Sequence, residues 1–226
     1  MRFLSSHWQL LALTAVLFAL WHTPAVVPLK ILIVFLHEFA HAAAAWLTGG
    51  SVEQISLSPD QGGFTITRGG NRFAILSAGY LGSLLIGVVL LMLALRSDAD
   101  RLVTGALGLI LLLVTVFYVR DIFAATFCIA TGAGLLGMAR FLGHAPNDMA
   151  LRVIGLGSLI YVPFDIFDDT IARAGLPSDA HMLGAEFGGP TVLWGAIWLA
   201  LSLAVIFGCL RYILDRDTNL RFDRTT

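Results

Sequence analysis

The chain has 226 residues, 58% of them hydrophobic and 13% charged, with a formal net charge of -1 and a mean hydropathy of +0.84. That balance excludes a water-soluble globule, and a chain with no basic excess has no surface for neutralising phosphates, so nucleic-acid binding is excluded too. The only cysteines, Cys128 and Cys209, sit inside apolar runs as small hydrophobes and make no disulfide framework.

A helix of about 20 apolar residues crosses the ~30 Å hydrocarbon layer of a bilayer. Apolar runs bounded by charge, Pro or Gly predict spans at 9–27, 29–48, 72–95, 102–119, 121–142, 151–172 and 190–213. The expected fold is therefore an all-α polytopic membrane protein, one membrane-embedded domain over residues 1–226, integral to the cell membrane with the lipid bilayer as its partner. The first run follows Arg2 and is bracketed by Trp8 and Trp21, which reads as an uncleaved, interface-anchored span rather than a signal peptide. Between the fourth and fifth runs only Arg120-Asp121 interrupts the apolar sequence, which demands a tight antiparallel turn; the alternative is a single bent hydrophobic region.

Two polar connections, Gly49 to Asn71 and Arg173 to Gly189, are long enough to hold structure of their own. In the first, Ile55 and Leu57 alternate with Ser56 and Ser58, and Phe64 and Ile66 alternate with Thr65 and Thr67. Pro59-Asp60-Gln61-Gly62-Gly63 lies between them, so the segment reads as a short β-hairpin. The glycines Gly79, Gly82 and Gly87 read as close-packing positions of a membrane helix.

The second run contains His37-Glu38-Phe39-Ala40-His41. A spacing of four puts both imidazoles on one helix face, where two nitrogens can hold one Zn²⁺ while the adjacent carboxylate addresses its water. Six His and three Glu in 226 positions give about 0.002 accidental matches to H-E-x-x-H, so coincidence is a poor explanation. The bland reading, polar groups satisfying each other between packed helices, is the weaker one. His7, His22, His144 and His181 lie at or outside span ends and read as interface or loop residues.

A catalytic zinc normally takes three protein ligands and keeps one position open, so a further donor is needed. The sixth run ends in Pro163-Phe164-Asp165-Ile166-Phe167-Asp168-Asp169, and acids near the end of a span face inward, the interface or a cation. Asp165, Asp168 and Asp169 are all candidates, spaced three and four apart on one stripe. If all spans alternate in direction, the second and sixth run the same way. His41 lies eight residues before Gly49 and Asp168 seven before Gly175, which at about 1.5 Å per residue sets them at nearly one depth.

HEFAH in one membrane helix, followed by an acid motif in a later parallel helix, resembles the site-2 protease family of intramembrane zinc metallopeptidases. The family's third ligand is the Asp of an N-x-x-P-x-x-x-L-D-G motif. Aligned on Pro163, Phe167 stands for the Leu and Asp168 for the ligand, while Ile160 replaces the Asn and Asp169 the Gly. Ser77-Ala78-Gly79-Tyr80-Leu81-Gly82 is similar to the small-residue segment of the family's next helix, and the hairpin has its counterpart after the HExxH helix. With the Ser178-Asp179-Ala180 segment, these features most resemble the peptidase M50B-like branch; no loop is long enough for a PDZ-type insert.

The resemblance implies a Zn²⁺ cofactor held by His37, His41 and Asp168, with Glu38 as the catalytic base. It implies a transmembrane protein or peptide as substrate, cleaved in or near its membrane segment. A non-proteolytic zinc-binding scaffold and, further off, a metal or ion transporter use the same residue types. Lys and Arg counted on alternating sides come to five on the N-terminal side and nine on the other, which by the positive-inside rule puts the C-terminus in the cytoplasm. Family analogy instead puts the hairpin there.

Overall fold

The computed structural model describes residues 2–173 and 177–220. Among them are seven helices long and apolar enough to cross a membrane, and one antiparallel hairpin. The spans are carried by α1 (Arg2–Leu20), α2 (Val27–Leu47), α3 (Arg72–Arg96), α4 (Asp100–Tyr118), α5 (Ile122–Phe141), α6 (His144–Phe167) and α8 (Thr191–Ile213). A short helix, α7 (Asp179–Phe187), stands between the last two, and α6 continues into a wide π turn over Asp168–Ala172.

The strands β1 (Ser51–Leu57) and β2 (Gly63–Arg68) follow α2, where the alternation predicted them. Gln61 takes a left-handed conformation (φ 63°) in the connecting turn, which Ser58 closes by donating its backbone N–H to the Gly62 carbonyl at 2.7 Å. The break at Arg120-Asp121 is also real. Asp121 caps α5 by accepting from the Ala124 N–H at 2.7 Å, which frees the chain to reverse within a few residues.

Helix α6 starts seven residues earlier than the expected position 151, because its first polar residues are buried rather than looped out. Arg152 bonds both carboxylate oxygens of Asp148 one turn earlier, at 2.6 and 2.9 Å, so the charges satisfy each other inside the bundle. His144 at the same helix end pairs with the buried Asp100 of α4 at 2.7 Å.

Helices α2 and α3 are antiparallel, with Gly82 against Ala40 and His41 against Ile75. Helices α3 and α6 are antiparallel as well, Gly87 meeting Ser158 and Tyr80 reaching Asp169. It follows that α2 and α6 run the same way, as the alternation argument required.

The first span breaks that alternation. The chain after α8 returns to the start of α1: the Thr218 N–H donates to the Ser6 carbonyl at 3.0 Å, and His7 Nδ1 lies 3.0 Å from Thr218 Oγ1. Arg152 of α6 bonds the Thr218 carbonyl at that same end. At its far end α1 hands over to Trp21, which packs against Tyr161 and Phe164 further along α6, both at 6.3 Å between ring centroids. So α1 runs parallel to α6 and to α2, and the two ends of the described chain share one face of the bundle. The expectation that all seven spans alternate is corrected here. Pro24 opens a single 3₁₀ turn between α1 and α2, and the short link redirects the chain without a full antiparallel reversal.

Candidate functional site

One cleft of about 480 Å³ is lined by His37, Glu38 and His41 from α2, by Gly63 and Thr65 from β2, by Asp179 from α7, and by residues of α3 and α6. On α2 the four-residue spacing brings the two imidazole rings to 4.8 Å, edge to face. Opposite them stands Asp179, at the first position of α7. Ser178 caps that helix by accepting from the His181 N–H at 3.2 Å, and Arg72 Nε of α3 clasps Glu186 at 3.0 Å. Phe73 packs edge-on against Phe187 at 5.5 Å. These contacts hold a nine-residue helix that has little core of its own.

Asp179 Oδ2 lies 3.0 Å from His37 Nε2 and 3.1 Å from His41 Nε2. All three side chains are largely buried, with 14%, 8% and 9% of the His37, His41 and Asp179 side chains exposed. Burial by itself raises the Asp179 carboxyl, but the field of His41 and the hydrogen bonds to both imidazoles hold it well below the usual carboxylate range. Asp179 is therefore an anion at neutral pH.

The second nitrogen of His41 fixes what the first one does. Nδ1 lies 2.7 Å from the Ile75 carbonyl, which can only accept, so Nδ1 carries the proton and Nε2 in the neutral ring presents a lone pair. The 3.1 Å between Nε2 and Asp179 Oδ2 is therefore bridged by a cation, either a proton on Nε2, which gives the hydrogen bond that holds the Asp179 carboxyl low, or a metal ion in its place. Donors on a tetrahedral zinc at about 2.0–2.1 Å stand roughly 3.3 Å apart, so this set fits zinc in both chemistry and spacing.

Gly79 of α3 leaves the room. A Cβ there would lie 2.3 Å from His37 Nε2 and 2.6 Å from His41 Nε2, in the space in front of both nitrogens. Next to it Tyr80 stacks edge-on against His37 at 4.8 Å and donates its hydroxyl to Asp169 Oδ2 at 2.7 Å.

The expected third donor is not where the motif put it. Asp168 is exposed, does not line the cleft, and lies within electrostatic reach of Lys30. The three acids do not share one face, because α6 ends at Phe167 and the π turn that carries Asp168 and Asp169 leaves Asp168 exposed. Asp165 and Asp169 turn into the cleft, but Asp169 is engaged by Tyr80 and by Arg173 Nη2 at 2.8 Å. Among the described residues, His37, His41 and Asp179 are the group able to hold a metal ion, their ligand atoms lying within 4.8 Å of one another. Asp179 stands in the Ser178-Asp179-Ala180 segment, and a Ser-Asp pair opening a helix reads first as a cap with an acid in the first turn. In the sequence Gly79 reads as a packing position within the small-residue segment 77–82, and Thr65 as an alternating strand residue. Their residue types alone do not show that they touch His37, His41 or Glu38.

This geometry is that of a candidate metal centre set among membrane-spanning helices. A family model described as Peptidase M50B-like matches residues 10–209, and the chain belongs to that family, a branch of the site-2 proteases. M50 proteins are generally metallopeptidases and typically use zinc. No curated protein and no solved structure matches the chain.

Proposed function

We propose that this protein is an intramembrane zinc endopeptidase that hydrolyses peptide bonds in or near the transmembrane segments of membrane-protein substrates. The observation that carries the reading is the convergence of His37, His41 and Asp179 on one point beside Glu38, in a cleft walled by membrane spans. In this reading His37, His41 and Asp179 hold the zinc, and Asp168 does not. Bound zinc supplies Lewis-acid polarisation of a carbonyl and lowers the pKa of water to about 7.

The chain's own residues do the rest. Glu38 accepts the proton of the attacking water and returns it to the leaving amine, a role for which its buried carboxylate is already desolvated. His41 keeps its lone pair directed by donating from Nδ1 to the Ile75 carbonyl. A peptide bond in a regular helix has its backbone groups paired and covered, so the substrate must be unwound. Strand β2 pairs with β1 on one side only, and its other edge carries backbone groups able to hold an extended peptide. The bilayer delivers the substrate and no nucleic acid takes part.

The test is Glu38→Gln in purified, zinc-loaded protein, with cleavage of a reporter transmembrane helix and zinc content measured together. Zinc retained with cleavage lost supports the endopeptidase. Undiminished cleavage by Glu38→Gln rejects it. A wild type that binds zinc tightly but cleaves nothing is a scaffold, and zinc flux across vesicles marks a transporter.

A further inference from the structure

The strand offered to the substrate also touches the base. Strand alternation turns Gly63 and Thr65 toward α2, while Phe64 and Ile66 point outward and stay 50% and 43% exposed, a polar-in, apolar-out pattern suited to lipid. Thr65 Oγ1 donates to Glu38 Oε2 at 2.7 Å and lies 3.0 Å from the Glu38 backbone carbonyl, so one hydroxyl contacts both the head and the root of the same side chain. On the other flank a Cβ at Gly63 would stand 2.8 Å from Glu38 Oε1 and 2.9 Å from Cγ, so only a glycine lets the strand come this close. Among the described residues Oε1 has no hydrogen-bond donor.

The strand is also held from behind. Thr65 is paired across the hairpin with Ile55, which bridges to Val119 at the end of α4, and the neighbouring Ser56 donates to Asp121 Oδ2 at 2.7 Å. The hydroxyl that reaches Glu38 is thus anchored to the α4–α5 turn rather than carried on a loose loop.

We propose that Thr65 is a positioning residue for Glu38: its hydroxyl binds one carboxylate oxygen and leaves Oε1 free to accept the proton. Because the same strand presents the open edge, a peptide that pairs with β2 settles against the element that aims the base. This rests on the proteolytic reading and adds a residue to it. An unaimed carboxylate still desolvates and still sits in the cleft, so its loss of aim shows in turnover rather than in substrate affinity.

The experiment compares Thr65→Val, which keeps the shape without the hydroxyl, with Thr65→Ser, which keeps the hydroxyl. Three readouts are taken: kcat and KM on a reporter helix, zinc content with thermal midpoint, and carboxyl ¹³C NMR of the metal-free protein. With the label confined to glutamate, three residues, Glu38, Glu53 and Glu186, contribute to that spectrum, and Glu38→Gln assigns the one in question. Thr65→Val is expected to lower kcat by about tenfold or more with KM within about twofold, at unchanged zinc content and midpoint, and to move the Glu38 signal. Thr65→Ser restores both. An unmoved Glu38 signal, an unchanged kcat, or an equal loss in Thr65→Ser overturns the role of Thr65. Absence of cleavage in wild type and both variants alike overturns the proteolytic reading itself, and the NMR arm shows separately whether the hydroxyl contact exists.

Discussion

Gly79 carries no chemistry, yet it sets how near α3 stands to the two imidazoles. Its Cα faces the His37 and His41 Nε2 atoms, and a methyl group would meet them at 2.3 and 2.6 Å. Gly79→Ala is therefore expected to keep the helix, since alanine favours it, but to weaken zinc binding by about tenfold or more by turning the rings aside. A competition titration with a zinc chelator checks this, and an unchanged affinity would show that the rings have room to yield. The motif His37-Glu38-Phe39-Ala40-His41 was readable because its chemistry is concentrated in five consecutive positions whose polarity is costly in a span. The third donor was not, because Asp179 reaches the imidazoles from a separate short helix and competes in the sequence with three acids in a better-known pattern.

At the scale of elements, hydropathy finds the spans and alternation finds the hairpin, both being periodic signals that do not depend on partners. Boundaries fail where a charge is paired rather than solvated, as with Asp148 and Arg152 at the start of α6. Direction fails for α1, because the link over residues 21–26 looks like any interhelix turn while the contacts that orient α1 come from Thr218 and Asn219, more than two hundred residues away. Residues near both ends of the chain should therefore label from one side of the membrane. Single cysteines at Ser5 and Asp215, in a background without Cys128 and Cys209, reacted with an impermeant maleimide in sealed vesicles, measure it. Reaction of one and protection of the other would mean that α1 crosses in the opposite sense. Arg96, Arg101, Arg140, Arg211 and Arg216 also lie near that end, so the positive-inside rule predicts that the shared label comes from the cytoplasmic side.

At the scale of the whole molecule the site is an assembly problem. In the proposed site α2 brings His37, His41 and Glu38, α3 backs them with Gly79, β2 holds Glu38 through Thr65, and α7 delivers Asp179 from the connection between α6 and α8. No pair of these elements suffices: the parallel run of α2 and α6 brings Asp165 and Asp169 to the cleft but leaves Asp168 outside it, and the carboxylate that meets the imidazoles comes from α7. The central claim is that His37, His41 and Asp179 form one metal site. Zinc per chain, measured by atomic emission on purified wild type, Asp168→Asn and Asp179→Asn, tests it most directly. The account predicts close to one zinc in wild type and in Asp168→Asn, and its loss in Asp179→Asn; zinc retained by Asp179→Asn and lost from Asp168→Asn would contradict it.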